Sequence, residues 1–356
     1  MQNHLSSRRV NNFDFLRFLF AVFVIITHSY ALSGLESQQD LLQHITNNQA
    51  SFSSIGLSGF FVISGYFIFK SFERSSHFYE YLKKRVLRVF PALLVVLLLS
   101  LLFVGLVYEG KTPLLLNSSF WTYLPNNLSL YGFQGVISGV FEENSYHSIN
   151  GSLWTIQYEF SLYLAIALLF FIKGRPIFIT IVISFIALVM LSMYHLWIDT
   201  FGGVKILGMQ GLHILNLGSF FVVGSLLAIL DFTKWNSKML VGLLFIIILV
   251  FFKIGLYNQV KHILFPPFIV GLGFLPVKYI SNFSKFGDPS YGIYIYAFPV
   301  QQLLIYLYRP SIAVFIILSI SISILFGYLS WHLIEKRALL LKGLDVDLKS
   351  FSRRLF

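Results

Sequence analysis

The sequence predicts an all-α, polytopic integral membrane protein with about ten transmembrane helices and both termini in the cytoplasm. Three observations carry this. Of the 356 residues, 56% are hydrophobic and only 12% charged, with a mean hydropathy of +0.76, whereas a soluble domain carries roughly 25% charged residues. Apolar windows of about 20 residues, enough to cross a hydrocarbon core ~30 Å thick, recur along the whole chain. The basic residues are segregated by loop.

The windows fall near 13–32, 54–72, 88–108, 152–172, 176–196, 212–230, 238–254, 263–279, 290–308 and 311–334. Arg8 and Arg9 precede the first as in a signal peptide, but the run holds ionisable groups and no small-residue cleavage site follows, so it reads as a retained span. The window at 238–254 is short, and 263–279 holds Pro266, Pro267 and Pro276. The polar segment 109–151, with Pro113, Pro125 and several Asn, is expected to contain a re-entrant or surface piece. Repeats, low-complexity tracts and linkers are not found. One membrane-embedded domain is therefore expected over 1–335, followed by a basic cytoplasmic tail over 336–356.

With the N-terminus inside, the cytoplasmic segments and tail collect twenty of the 26 basic residues; Lys111, Lys205, Lys253, Lys261 and Arg309 fall outside, and Arg17 lies within the first span. That satisfies the positive-inside rule. The net charge of +11 is thus topological, and no nucleic-acid partner is implied. With no cysteine, disulfides and thiolate–metal sites are excluded. Nine scattered histidines make no metal site. Walker A, HExxH, dinucleotide-fingerprint and Gly-x-Ser-x-Gly patterns are missing.

Polar groups inside the spans carry the functional signal. Asp14, Arg17 and His28 lie in the first span, where an Asp or Arg near the centre costs roughly 2.5–3.5 kcal/mol. Arg17 and His28 are eleven residues apart, which puts them about 20° apart on one helix face and roughly 16 Å apart along the axis. Asp14 is placed to neutralise Arg17. The residues alone point either to a polar internal site or to an interfacial pair with His28 bonded to a neighbouring helix. In "KKRVLRVFP" (83–91), Arg85 and Arg88 form one ridge that can present two guanidinium forks to phosphates, or simply anchor the span. "GLSGFFVISGYF" (56–67) reads first as close helix packing through Gly56, Gly59 and Gly65, with Ser58 and Ser64. In "NGSLWTIQYEFSLY" (150–163), Glu159 needs a partner such as His28 or an arginine, among Trp154, Tyr158 and Tyr163. In "WHLIEKR", His332 and Glu335 read as interface anchors.

These motifs, in this order, resemble the membrane acyltransferase-3 family, the integral-membrane O-acyltransferases of bacterial polysaccharides and glycoconjugates. The resemblance covers nearly the whole chain: Arg17 with His28, "GFFVISGYF", Arg85-Val-Leu-Arg88, "NGSLWTIQYEFSLY", "SYGIYIYAFPV" (290–300) and "WHLIEKR". Two positions depart from the pattern: Ala297 stands where many relatives carry His, and Arg337 where Pro often follows the Glu–Lys pair. The chain is expected to be the stand-alone form, without the periplasmic hydrolase-like domain some relatives append.

The resemblance implies a cytoplasmic acyl-coenzyme A donor (acetyl-CoA on family grounds), no metal, a glycan or lipid-linked sugar acceptor, and residence in the bacterial inner membrane. It places the donor phosphates on Arg17, Arg85 and Arg88. It makes His28 the general base or acyl carrier, with Glu159 orienting the imidazole or binding acceptor. Asn150 and Trp154 are acceptor-side candidates, and Asp14, Ser64 and Tyr163 complete the expected substrate-binding set. Composition and spacing fit a second class equally well, a multi-span transporter or flippase of a lipid-linked sugar or anion, although the paired broken helices of such folds are not evident.

Overall fold

The computed structural model describes residues 11–35 and 39–343; Arg8, Arg9 and the tail residues Lys349, Arg353 and Arg354 lie outside that range. Its helices are α1 (Phe13–Leu32), α2 (Leu41–Ile45), α3 (Phe52–Arg74), α4 (Phe78–Val107), α5 (Ser118–Leu128), α6 (Ile156–Leu168), α7 (Pro176–Leu196), α8 (Ile198–Phe201), α9 (Gly211–Ile229), α10 (Lys238–Lys253), α11 (Tyr257–Phe274), α12 (Ser290–Tyr308), α13 (Ile312–Ser330) and α14 (Lys336–Leu340). One small hairpin, β1 (Lys205–Ile206) with β2 (Met209–Gln210), precedes α9. The chain is all-α in its body, as the sequence predicts.

Among the described residues, seven helical stretches are long and apolar enough to cross a membrane: 13–32, 52–74, 78–107, 151–172, 176–196, 211–229 and 312–340. The other three expected spans are helical too, but α10 has only 16 residues, α11 holds Pro266 and Pro267, and α12 is made more polar by Gln301, Gln302 and its tyrosines. The bounds of α1, α7 and α12 coincide with the windows at 13–32, 176–196 and 290–308.

Two elements differ from expectation for visible reasons. Helix α4 starts at Phe78, well before residue 88, because the His77 side chain accepts the Glu80 N–H at 3.1 Å and the Glu80 carboxylate accepts the Ser76 N–H at 2.7 Å. Glu80 also pairs with Lys84 one turn on, at 2.5 Å. This charged first stretch carries Arg85 and Arg88 on a formed helix. Helix α11 begins at Tyr257 and ends at Phe274, with Pro276 just beyond it. Between α4 and α6, the polar segment makes α5 and a loop network around Asn127 and Gln134, with Trp121 exposed. It is a surface piece.

Helix α3 is the hub, packed on α1 and α9. Glycines permit both approaches. A Cβ on Gly56 would strike the Phe20 carbonyl of α1, and one on Gly65 or Gly224 would strike the facing backbone of α9 or α3. Helix α12 lies between α1 and α13, with Ala297 against Ala21 and Ile25. By contrast, α7, α10 and α13 leave Phe185, Ile246 and Ile317 exposed, as lipid-facing helices do. A π-helical turn, Trp331–Glu335, interrupts the run from α13 into α14; such turns are rare and frequent at functional sites.

Candidate active site

A cavity of about 280 Å³ opens at the end of the bundle where α1 and α4 begin. Five basic side chains line it: Arg17 of α1, Lys84, Arg85 and Arg88 of α4, and Lys342 beyond α14. Deeper in, it is lined by Phe60 and Ser64 of α3, Glu159 and Tyr163 of α6, and Tyr294 of α12, with Thr155 just before α6. Glu159 and Tyr163 are one turn apart and share a face of α6. The structure thus brings together six of the residues expected at the site: Arg17, Ser64, Arg85, Arg88, Glu159 and Tyr163.

One wall of the cavity is an ion-pair lattice. Arg88 donates to Asp288 at 2.7 Å and to Glu335 at 3.0 Å, and its guanidinium lies over Tyr291 and Trp331 at 5.8 and 5.9 Å. Arg17 reaches the same Asp288 at 3.5 Å and Asp14 at 3.7 Å. The other Asp288 oxygen accepts the Ser290 hydroxyl at 2.5 Å, and Ser330 donates to Glu335 at 2.9 Å. Burial raises the Asp288 carboxyl, but Arg88 and Arg17, with Ser290, hold it below its ordinary value. Glu335, only 1% exposed, is therefore a buried partner of Arg88 and not the interface anchor the sequence suggested; His332 is exposed.

The wall one turn earlier on α4 has no such balance. Arg85 forms no ion pair among the described residues. Its one hydrogen bond, to Ser71, is long at 3.4 Å, and its Nε is buried without a partner. The guanidinium sits over Tyr81 and Tyr163 at 5.9 and 5.8 Å. Glu159 is engaged instead by Tyr163 and by Ser64, the latter at 3.1 Å. Lys342 sits at the rim; desolvation, with Arg85, Arg88 and Lys84 nearby, brings its ammonium down to about 8. The cavity thus offers an unpaired guanidinium and a titratable lysine to an anion.

The remaining expected residues lie elsewhere. His28 does not line the cavity. Its ring packs edge-on against Phe298 of α12 at 5.3 Å, and its Nδ1 is buried without a partner among the described residues. Phe298 is one turn, roughly 6 Å of rise, beyond Tyr294, which does line the cavity, so His28 is separated from the deep end by the Phe298 turn. The Phe298 ring also fills the space a side chain on Gly151 would need. Asn150 is buried, accepting the Ser152 N–H at 3.2 Å and donating to the Ile295 carbonyl at 2.8 Å; its amide ties the start of the α6 segment to α12. Trp154 packs with His213 and Tyr158 at 4.5 and 5.4 Å. Asp14 pairs with Arg17 outside the cavity lining.

Sequence reasoning missed Asp288, Lys342 and the buried role of Glu335. A carboxylate beside Pro289, just before a span, was the available signal for Asp288.

A membrane-crossing helical bundle that encloses a cationic cavity defines a polytopic membrane protein able to receive an anionic ligand. Residues 10–332 match the acyltransferase-3 family, described as an acyltransferase domain, and the chain belongs to that family; it is an acyl-transferring enzyme. It is 28% identical over 344 residues to an O-acetyl transferase of Shigella phage Sf6, covering 92% of this chain and 96% of that protein. It is also 32% identical over 189 residues to nodulation protein 10 of Rhizobium leguminosarum bv. viciae, covering 49% of this chain and 47% of that protein. No solved structure matches the chain.

Proposed function

We propose that the protein is an O-acetyltransferase of the bacterial inner membrane. It takes an acetyl group from cytoplasmic acetyl-CoA and passes it to a hydroxyl of a cell-envelope glycan or lipid-linked sugar. The observation that carries this is the unbalanced wall of the cavity: Arg85, unpaired and partly without hydrogen-bond partners, beside Lys84 and Lys342. In this reading the chain crosses the bilayer ten times with both termini inside, so the cavity mouth faces the cytoplasm. The membrane domain extends over 1–335 and the basic tail over 336–356.

Coenzyme A carries phosphates at one end and the thioester at the other. Arg85, with Lys342, takes the phosphates, and Lys84, Arg17 and Arg88 add positive potential from within their ion pairs. The pantetheine arm runs inward past Ser64 and Tyr294 toward His28, over a distance comparable to the roughly 16 Å between Arg17 and His28 along α1. The Nδ1 of His28, free of any partner among the described residues, removes the proton as the acceptor oxygen attacks the thioester carbonyl. The carbon–sulfur bond breaks, and the thiolate leaves and takes up a proton as free coenzyme A. In the two-step version, His28 attacks first and carries the acetyl group. Glu159 fixes Tyr163 and Ser64 along the arm's path, and Trp154 lies on the acceptor side.

The test is release of free coenzyme A thiol by the purified protein in nanodiscs, supplied with acetyl-CoA and a glycan acceptor, alongside mass spectrometry of the acceptor. The wild type is expected to release thiol and add an acetyl-sized mass. His28→Ala, at equal folded level, is expected to lose about 10²–10⁴-fold in rate. Wild-type protein that consumes no thioester would overturn acetyl transfer, and a normal rate in His28→Ala would remove His28 from the chemistry.

A further inference from the structure

A second cavity, of about 340 Å³, lies on another face of α6, between α6, α7 and α9. We infer that it holds the hydrocarbon tail of a single-chain lipid carrier on which the sugar acceptor is borne. The inference rests on the acetyl-transfer reading and adds how the acceptor is held.

Helix α6 is the shared wall. Ile156, Glu159 and Tyr163 face the charged cavity, while Tyr158, Leu162, Ala165 and Leu169 face the second one. The two sets follow the three- and four-residue spacing of separate stripes on one helix. The lining is almost wholly apolar, and its serines offer nothing to a polar ligand. Ser161 is bonded to Tyr131 at 2.9 Å and to the Gln157 carbonyl at 2.7 Å, and Ser225 donates to the Gly65 carbonyl at 3.0 Å. A hydrocarbon is the ligand chemistry that remains.

Shape and access narrow the occupant. The cavity runs from Tyr158 of α6 to Leu169, the residue just past its end, and from Ile214 to Ser225 along α9. Eleven residues of helix rise about 16 Å, close to one leaflet of a hydrocarbon core ~30 Å thick. Ile186 and Ala165, both exposed, line it, so it is reached sideways from the lipid-facing surface. A slot of this length between two helices accommodates one hydrocarbon chain laid along α6. At the end nearest the start of α6, the Trp154, Tyr158 and His213 rings cluster within 6.0 Å of one another. Amphipathic rings at the wet end of an apolar slot suit a sugar face. The polar head is thereby brought to the same end of α6 as Gly151 and Phe298, which packs on His28.

The test uses the full-length protein in nanodiscs with a farnesyl-diphosphate-linked N-acetylglucosamine carrying a diazirine in its tail. Irradiation is expected to label the peptides holding Leu162–Ile166 and Ile214–Gly218. Ala165→Trp, at an exposed position, is expected to cut that labelling at least tenfold. Gly218→Leu should do the same, its new side chain meeting first the flexible end of Met190. In turnover, Ala165→Trp should raise KM for the lipid-linked acceptor while leaving KM for acetyl-CoA and transfer to a tail-less sugar unchanged. Labelling confined to other peptides, equal labelling by a diazirine-tagged diacyl phospholipid, or labelling untouched by both substitutions would overturn the inference. Labelling that behaves as expected in a protein that never releases thiol would sink the acetyl-transfer reading and leave the lipid-tail assignment standing.

Discussion

The two walls of the charged cavity hold the same residue type in opposite states. On one, Arg88 is shared between Asp288 and Glu335, and Arg17 between Asp288 and Asp14. On the other, one turn away on α4, Arg85 lies against the rings of Tyr81 and Tyr163 with no carboxylate in ion-pair contact. A buried charge that is fully paired has little left to offer a ligand, and removing its partner is expensive. A charge held by ring faces keeps its donors free. On the proposed reading, the first wall is architecture that ties α1, α4 and the π turn to the start of α12, and the second is the surface that receives the donor. All three arginines expected to hold donor phosphates line the cavity, but they differ in how far carboxylates already neutralise them.

The strongest way to break this comparison is to remove the central cation. Arg88→Ala leaves Glu335 buried without its ion-pair partner and Asp288 with only the longer contact to Arg17 at 3.5 Å, and removing one member of such a pair destabilises by about 3–5 kcal/mol. The expected outcome is a large loss of folded protein, read by size-exclusion chromatography after graded heating. The triple variant Arg88→Met, Asp288→Asn, Glu335→Gln should recover most of it, because no unpaired charge remains. Arg88→Ala protein that is fully stable but binds acetyl-CoA poorly would put Arg88 on the receptive wall.

Arg85→Ala should do the reverse. Thermal stability is expected to fall far less than for Arg88→Ala, since the side chain loses only a long 3.4 Å bond to Ser71 and the ring-face contacts with Tyr81 and Tyr163. Loss of hydrogen bonds to a charged group, about 1.5–3 kcal/mol, should weaken coenzyme A binding by roughly 10–100-fold. Titration calorimetry checks it, and Arg85→Lys should recover only part, because a point charge replaces a fork. Unchanged affinity would make the unpaired guanidinium a topological anchor.

Most of the scaffold was legible, and the reason lies in the solvent. Long apolar runs report themselves wherever the bilayer is the environment, so α1 and α7 fall on their windows. The first turns of α4 were hidden because Glu80, Lys83 and Lys84 look like a loop to a hydropathy window, although the His77 cap and the Glu80–Lys84 pair make them helical. The site was half legible. Arg17, Arg85, Arg88 and Glu159 announce themselves as charges within or beside apolar runs. Which of them are neutralised is a tertiary fact: Asp288 and Glu335 lie 200 and 247 positions from Arg88, and no spacing rule reaches that far. Asp288 sits in a Gly-Asp-Pro turn, where a capping or turn role is the ordinary expectation.

The rim sharpens the comparison through pH. Lys342, brought down to about 8, is charged below that pH and loses its charge as pH rises through it. Donor phosphates favour the charged form, so affinity for acetyl-CoA should be full below pH ~8 and fall several-fold above it, the midpoint moving upward when ligand is bound. Lys342→Arg, which stays charged, should flatten the profile, and Lys342→Met should lower affinity at neutral pH while removing the dependence. A profile identical in all three proteins would take Lys342 out of donor binding.

The smallest effect is expected at Asp14, the outermost member of the paired wall. Its ion pair with Arg17 is loose at 3.7 Å, and both side chains keep about a quarter of their surface exposed, at 27% and 25%. Exposed pairs contribute about 0.2–1 kcal/mol, and a carboxylate in the first turn of α1 adds a helix-dipole term of about 0.3–1 kcal/mol. Arg17 also remains tied to Asp288 at 3.5 Å. Asp14→Asn should therefore lower thermal stability only slightly. Because it removes a negative charge near the cavity, coenzyme A affinity should stay level or tighten, and the difference from wild type should shrink with added salt. A tenfold loss of affinity in Asp14→Asn would mean that Arg17 depends on Asp14 for its position. Arg17 would then belong with Arg85 among the groups that meet the donor.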